Sequence, residues 1–294
     1  MNNPFAQPGQ WFKGNLHTHS NQSDGQPSPQ QIVDEYAEHG YDFLSITDHW
    51  KLTDPSALDG QGLLLIPGSE LNGGVAGLGQ DYHLVVIGLR EMIQHVEGMS
   101  IQDLIDAANA AGAFCWIAHP TWCSLSYTDL LPLTGTLGFE IYNTTCHRGI
   151  GRGESSVQYD ELLARGLRPL ALAVDDAHWH YPDDLGGWIM VKAAECTEEA
   201  ILASMRQGNF YATSGPLIEN VEFGEKTIKV TCSLAQELRL INPLPGQGAT
   251  SHRVRGAGPF TEYEFPRPAH WEVCRLEVVD LQGRKAWTNA FWFA

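Results

Sequence analysis

The segment Gly14-Asn15-Leu16-His17-Thr18-His19-Ser20 ends a short strand-like run with two histidines in alternate positions. Residues i and i+2 of an extended strand face the same side, so His17 and His19 present two imidazoles to one point without bending the backbone. By itself the pair does not distinguish a metal site from two unrelated histidines. The answer depends on what the rest of the chain brings to that point.

The surrounding chain, from about residue 12 to 210, alternates short apolar runs with amphipathic stretches. The run 41–46 leads into Thr47-Asp48-His49, and the run 113–118 leads into His119-Pro120. The stretch from Ser100 to Ala111 predicts a capped helix between such runs. Repeated units of this kind build a parallel sheet or barrel, so we expect an α/β fold with the polar strand ends on one face. The run 83–87 is unusual because its polar residue, His83, stands at the start.

Beyond residue 212 the pattern changes to strand-like runs without intervening helical periodicity. We therefore predict two domains: residues 1–212 form the α/β domain, and residues 213–294 form a small all-β module of the β-sandwich type.

Nine potential metal ligands lie at or near the ends of predicted strands. Asp176 and His178 repeat the alternate spacing of the first pair. Imidazole and carboxylate groups suit Zn, Mn or Fe, and the six scattered cysteines form no Cys-x-x-Cys pair that would indicate a structural zinc site. We predict an open, catalytic metal site with these ligands: His17, His19, Asp24, His49, Glu70, His83, His119, Asp176 and His178.

As a set, these motifs resemble those of the PHP (polymerase and histidinol phosphatase) family of metallohydrolases, over roughly residues 12–212. The matching segments are Asn15-Leu-His-Thr-His-Ser20, Ser23-Asp24-Gly25, Ile46-Thr-Asp-His49, Gly68-Ser-Glu70, His83, Ala118-His119-Pro120 and Asp175-Asp-Ala-His178. The resemblance implies a distorted (β/α)7 TIM-like barrel.

The resemblance also implies a cluster of three divalent ions. His17, His19, Glu70 and Asp176 would bind the first ion, and Glu70 would bridge to a second. That second ion would be held by His83 and His119, and a third by Asp24, His49 and His178. We expect catalysis to depend most on five residues: His17, His19, Glu70, Asp176 and His178. Asp48 is interpreted as a partner of the ligands rather than as a ligand.

Five further residues follow the motif strands and are predicted to bind substrate: Lys51, Asn143, His147, Arg148 and His180. Of these, Lys51 and Arg148 would suit a phosphate or another anion. Glu140, inside a predicted strand, is interpreted as an acceptor for a ligand histidine.

Three functions are compatible with these residues. The first is a phosphoesterase that attacks a small phosphate ester with metal-activated hydroxide, since the chain has neither a Gly-x-Ser-x-Gly elbow nor a P-loop. The second is a carbamate, ester or amide hydrolase with the same cluster. The third is a non-catalytic, metal-stabilised accessory module, which predicts missing ligands.

The second alternative rests on the tail and on the shortage of basic residues near the motifs. Tyr211-Ala-Thr-Ser-Gly-Pro216, followed by strands ending in Ala286-Trp-Thr-Asn289, is loosely similar to the branch that includes carbaryl-type carbamate hydrolases. A packing or lid role is expected for this module.

The charge balance restricts the partners. Eighteen Lys and Arg face 35 Asp and Glu, for a net charge of -17, which disfavours nucleic acid and anionic membranes. We expect a small-molecule substrate, and the charge disfavours nucleic acid except as a small nucleotide. The sequence shows no signal segment and no membrane-spanning run, which predicts a cytoplasmic protein; it leaves the oligomeric state open.

Overall fold

The computed structural model describes residues 2–244, 249–253, 258–267 and 269–293, with the backbone alone for 249–253. Six helices connect the strands of the first 210 residues. Helices α1 and α2 begin with capping boxes, at Ser28 with Gln31 and at the predicted Ser100 with Asp103. The helices are α1 Pro29–Glu38, α2 Ile101–Ala110, α3 Tyr127–Leu130, α4 Thr144–Ile150, α5 Ser156–Leu163 and α6 Glu198–Arg206.

The strands form two large sheets. In chain order they are β1 Gln10–Asn15, β2 Phe43–Leu44, β3 Leu64–Leu65, β4 Gly68–Val75, β5 Asp81–Ile87, β6 Phe114–Ile117, β7 Gly138–Asn143, β8 Leu170–Val174, β9 Trp188–Ala193, β10 Phe210–Thr213, β11 Ile218–Phe223, β12 Thr227–Ile241, β13 Ala249–Arg253, β14 Phe260–Pro266, β15 Val273–Asp280, β16 Lys285–Thr288 and β17 Phe291–Trp292. The smaller sheet has the order β4-β5-β6-β7-β8. The larger sheet runs β11-β12-β15-β16-β10-β9-β1-β2-β3, with β13 and β14 paired to β12 and β17 paired to β15.

Two single bridges join these sheets. Thr18, beyond the end of β1, pairs with Ala177 beyond β8, and His49, beyond β2, pairs with Glu70 in β4. Among the described residues the hydrogen-bonded ladders do not close into a continuous barrel. The mixed α/β class with large sheets is confirmed. The exact arrangement of seven β-α units is not.

The main departure from repeated β-α units is β5. It pairs antiparallel with both β4 and β6, and a turn at residues 76–80, without a helix, connects it to β4. Because β5 runs against its neighbours, its amino end lies beside their carboxyl ends. This explains why His83 stands at the start of its strand.

The larger sheet continues across the predicted domain boundary. Strand β10 lies between β9 and β16, antiparallel to both, so the last strands of the chain extend a sheet that begins with β1. The division after residue 212 stays a prediction.

The final segment packs against residues of β7, β8 and β10. Trp287 is fully buried with its ring centroid 5.5 Å from that of Tyr142. Asn289 accepts a hydrogen bond from the backbone of Ala171 at 2.9 Å and donates one to the carbonyl of Phe210 at 2.9 Å. These contacts join the last strands to the first part of the chain.

Within the part of the chain that the structure describes, none of the helices has the length and apolar character needed to cross a membrane.

A buried ion pair ties β15 to α5. The guanidinium of Arg275 binds both carboxylate oxygens of Asp160 at 2.6 and 2.8 Å and donates to Glu277 at 2.7 Å. Arg275 and Glu277 are almost completely buried, so removal of the arginine leaves carboxylates without their main partner in a region of low dielectric constant.

We expect Arg275→Ala to lower the free energy of unfolding by about 3 kcal/mol, because a buried charge pair loses one member. The control is Lys229→Ala, which breaks the exposed pair with Glu262 and should cost less than about 1 kcal/mol. Urea denaturation measures both. Equal losses in the two variants would contradict the structural role of Arg275.

Candidate metal centre

The nine predicted ligands converge where the carboxyl ends of the strands meet the amino end of β5. Each lies at the end of a strand, within one, or in the turn that follows. His17, His19 and Asp24 follow β1, His49 follows β2, Glu70 belongs to β4, His83 to β5, His119 follows β6, and Asp176 and His178 follow β8.

The most buried group consists of His17, His19, Glu70 and Asp176, and its members are at most 4% exposed. His17 Nε2 lies 3.1 Å from Glu70 Oε2 and 3.1 Å from Asp176 Oδ1. His19 Nε2 lies 3.2 Å and 3.0 Å from the same two oxygens, and the two Nε2 atoms are 3.2 Å apart. Four potential ligand atoms therefore surround one buried point.

The lone pairs of this group are arranged to bind a cation. His17 Nδ1 donates to Glu140 Oε1 at 2.7 Å, which leaves Nε2 of the neutral ring as an acceptor. That nitrogen faces another imidazole nitrogen and two carboxylate oxygens, and acceptors that face one another repel. Either protons or a metal ion must therefore lie between them. Imidazole nitrogens and carboxylate oxygens together are the ligand types that Zn, Mn and Fe take.

A second group, more open to solvent, consists of Asp24, His49 and His178 together with His19. Asp24 Oδ2 lies 3.4 Å from the Nε2 atoms of both His49 and His178. His19 Nδ1 is 3.6 Å from Asp24 Oδ1, so the two ring nitrogens of His19 face two different groups. The half-exposed Asp24 side chain makes this side of the centre accessible.

Glu70 connects the groups through its two carboxylate oxygens. Oε1 lies 2.8 Å from His83 Nδ1 and 3.3 Å from His119 Nε2, whereas Oε2 faces His17, His19 and, at 3.3 Å, His49 Nδ1. This is the bridging position that the resemblance implies for Glu70. The structure thus brings all nine residues together, with His49 close to two groups; their roles as ligands stay predictions.

Glu140 holds several of these residues in place from inside β7. Besides His17, it accepts hydrogen bonds from the backbone of His119 at 2.8 Å, from Trp116 Nε1 at 3.2 Å and from Asn143 Nδ2 at 2.9 Å. A buried carboxylate that fixes the tautomer of a ligand histidine also fixes the direction of its lone pair.

Asp48 orders the turn that carries Asp24. It accepts hydrogen bonds from the backbone and the hydroxyl of Ser20 at 2.8 and 2.6 Å, and from the hydroxyl of Ser23 at 2.6 Å. A Cβ atom at Gly25 would lie 2.1 Å from the carbonyl oxygen of His19, so only glycine allows this turn to fold back onto the strand end.

Asp175 fixes the loop after β8. It accepts hydrogen bonds from the Tyr36 hydroxyl at 2.7 Å and from the backbone of Gly186 and Gly187 at 2.7 and 2.8 Å. Burial raises the pKa of Asp175 to about 6, and these hydrogen bonds limit the rise.

Two of the predicted ligands have strained backbone conformations. His119 and Asp176 adopt positive φ values of 28° and 57°, a region that costs residues other than glycine about 1–3 kcal/mol. Such strain persists only where the surrounding contacts impose it.

A cavity of about 320 Å³ opens onto the centre. Its lining includes seven of the nine predicted ligands. The remaining lining residues were not identified as site residues by the sequence analysis: Trp122, Thr145, Cys146, Gly149, Ile150 and Tyr181. Trp122 and Tyr181 each follow a ligand histidine by three residues, but that spacing does not reveal which way a side chain in a turn will point.

The five predicted substrate-binding residues are not among those that line the cavity. Lys51 Nζ donates to the carbonyl of Gln22, and Arg148 donates to the carbonyls of Pro182 and Asp184 at 2.7 and 3.0 Å. Their cationic groups thus bind nearby loops, and contact with a substrate anion stays a prediction.

The other three residues differ in position. Asn143 is fully buried behind the ligands and donates to Asp176 Oδ2 at 3.0 Å, which favours a positioning role. His147 is exposed with its ring centroid 5.3 Å from that of Tyr142, and His180 Nε2 donates to the carbonyl of Asp24 at 3.1 Å.

The carboxylates change the pKa values of the histidines. Burial lowers the pKa of His17, but the charges of Asp176, Glu70 and Glu140 outweigh burial and raise it well above its ordinary value. Burial likewise opposes protonation of His178, yet the hydrogen bond to Asp24 and the charge of Asp176 raise its pKa to about 9. Without metal, these rings therefore retain protons at neutral pH.

Comparison with solved structures shows a likeness that extends over most of the chain. A two-domain protein from Bacteroides vulgatus ATCC 8482, containing a predicted PHP-like metal-dependent phosphoesterase, is 19% identical, with 92% of this chain and 91% of that chain covered and a TM-score of 0.53. This likeness shows a shared fold. No protein-family model matches the chain, and no curated protein does.

Two further structures have lower TM-scores. An amidohydrolase from Chromobacterium violaceum is 16% identical, covering 56% of this chain and 87% of that one, with a TM-score of 0.42. The lesion-specific endonuclease PfuEndoQ from Pyrococcus furiosus is 14% identical, covering 68% of this chain and 56% of that one, with a TM-score of 0.43.

We expect metal binding to the metal-free protein at pH 7 to release about one proton or more per protein molecule, because protonated imidazoles must give up their protons to become ligands. The apparent affinity should rise with pH until the pKa of His178, about 9, is passed. Calorimetric titration with Zn or Mn in buffers of different ionisation enthalpy measures this release. Binding without proton release would contradict the assignment of the histidines.

Proposed function

We propose that this chain is a metal-dependent hydrolase of the PHP type, a phosphoesterase acting on a small phosphate ester. The observation that carries this proposal is the convergence of nine imidazole and carboxylate side chains around Glu70, beside an accessible cavity. We also propose a distorted (β/α)7 barrel as the plan of the first domain.

We further propose three divalent ions, of Zn, Mn or Fe, at the three groups around Glu70. The buried group is His17, His19, Glu70 and Asp176; the second adds His83 and His119 to Glu70; the third is Asp24, His49 and His178. When bound, such ions lower the pKa of a coordinated water and neutralise the charge of the scissile group.

The chain's own residues orient the reactants. Glu140 aims His17, Glu70 spans the groups, and the half-exposed Asp24 marks the side from which substrate enters. The Nδ1 atom of His178 donates to the carbonyl of Asp176 at 2.7 Å, which directs its Nε2 atom towards Asp24 and the cavity. These contacts fix geometry before substrate arrives, which reduces the reorganisation needed in the transition state.

A second candidate, hydrolysis of a carbamate, ester or amide, is favoured by the cavity walls. Among the described residues that line the cavity, none is Lys or Arg, so protein cations do not complement the charge of a phosphate there. The accessory-module alternative predicts missing ligands, and none is missing.

A small molecule is the substrate that we propose. The cavity volume lies at the lower end of the range for small-molecule sites, about 300–1,000 Å³, and the net charge of -17 disfavours long nucleic acids.

We expect His17→Ala and Asp176→Asn to reduce kcat/KM by more than about a hundredfold, since loss of a residue that only supports a ligand already costs about 10- to 100-fold. The control is His39→Ala, an exposed histidine beside Glu35, which should keep the wild-type rate. The measurement is hydrolysis of a panel of phosphate esters, aryl esters and carbamates by the metal-loaded protein.

The substrate panel distinguishes the two candidate functions. Inert phosphate esters together with hydrolysed carbamates or esters would select the second candidate. Full activity in both variants would reject the metal mechanism.

A further inference from the structure

We infer that the cavity wall formed by Trp122, Ile150 and Tyr181, which we call the apolar wall, binds a flat apolar group of the substrate. Preferred substrates would then carry an aromatic ring close to the bond that is hydrolysed. The inference rests on the proposed function only for the identity of the scissile group.

Trp122 stands directly beside the predicted ligands. Its ring centroid is 5.1 Å from that of His119 and 5.9 Å from that of His83, at interplanar angles of 75° and 70°. The side chain is nevertheless 40% exposed. These edge contacts hold the indole next to the metal centre without burying it, so its face remains available to stack on a substrate.

Ile150 and Tyr181 line the same cavity. Ile150 ends α4 and is 61% exposed. The Tyr181 hydroxyl donates to the carbonyl of Thr145 at 3.0 Å, which fixes the ring over the helix. A Cβ atom at Gly149 would lie 2.6 Å from that hydroxyl oxygen, so glycine leaves the room that this ring position needs.

Exposed large apolar side chains are gathered in this cavity. Eleven large apolar side chains are exposed among the described residues, and three of them line this single cavity. Exposed apolar side chains gathered in a concave site are typical of ligand-binding surfaces.

The charges of the cavity agree with such a substrate. Its charged lining residues are carboxylates and histidines of the metal centre, and no Lys or Arg is found among the described lining residues. A substrate with several anionic groups would therefore leave those beyond the scissile group uncompensated. An aromatic group would instead bury area against the apolar wall.

The test compares two non-hydrolysable probes, phenylphosphonate and methylphosphonate, by calorimetric titration of the metal-loaded protein. We expect phenylphosphonate to bind at least about tenfold more tightly, since a stacked ring contributes both area and ring-ring attraction. Trp122→Ala should reduce this ratio to less than about threefold. Equal affinities in the wild type, an unchanged ratio in the variant, or no binding of either probe would overturn the inference.

Ile150→Ala is the second variant, because Trp122 contacts two ligand histidines and its loss can disturb metal binding. It should lower the ratio by about threefold while metal content stays that of the wild type. The control is Leu131→Ala, a leucine that is also 40% exposed and lies outside the cavity; it should leave the ratio unchanged. A loss of the ratio in the control variant would reject a specific wall.

Turnover of ethyl phosphate and 2-phenylethyl phosphate separates this inference from the proposed function, since the two esters have similar leaving alcohols. Faster hydrolysis of the phenylethyl ester supports both proposals. A tenfold binding preference with neither ester hydrolysed would support the apolar wall and reject the phosphoesterase. Hydrolysis of the esters without a binding preference would support the phosphoesterase and reject the apolar wall.

Discussion

Four electron-pair donors, two imidazole nitrogens and two carboxylate oxygens, surround one buried position between His17, His19, Glu70 and Asp176, and they lie 3.0–3.2 Å from their neighbours. Such atoms repel one another unless positive charge lies between them. Burial strengthens the repulsion because the local dielectric constant is low. The fold around this position holds the four side chains there, and a cation between them offsets their mutual repulsion.

The supporting contacts come from residues outside the ligand set. Glu140 links β7 to His17 and to the backbone of His119, while Asp48 orders the turn of Asp24. Asp175 fixes the following loop, and the positive φ values of His119 and Asp176 show that the backbone is held against its own preference. Rigid ligands of this kind reduce the reorganisation that metal binding and catalysis require.

Much of the centre could be predicted from the sequence because most of the predicted ligands are polar residues at or just after the end of an apolar run. The reversed direction of β5 could not be predicted, although the position of His83 at the start of its apolar run was consistent with it. Strand direction depends on pairing with distant strands, which a local pattern does not contain. Likewise, Lys51 and Arg148 have the right charge for a phosphate, but their partners are loop carbonyls brought near by tertiary structure. Trp122 and Tyr181 were missed because turn geometry, not spacing, decides their direction.

The central claim is that the point between His17, His19, Glu70 and Asp176 holds a divalent metal ion. Anomalous diffraction from crystals of protein purified without chelators and supplied with Zn tests it most directly. We predict an anomalous peak about 2.0–2.2 Å from His17 Nε2 and from Asp176 Oδ1. Crystals that contain bound zinc but show no peak at this position would contradict the account.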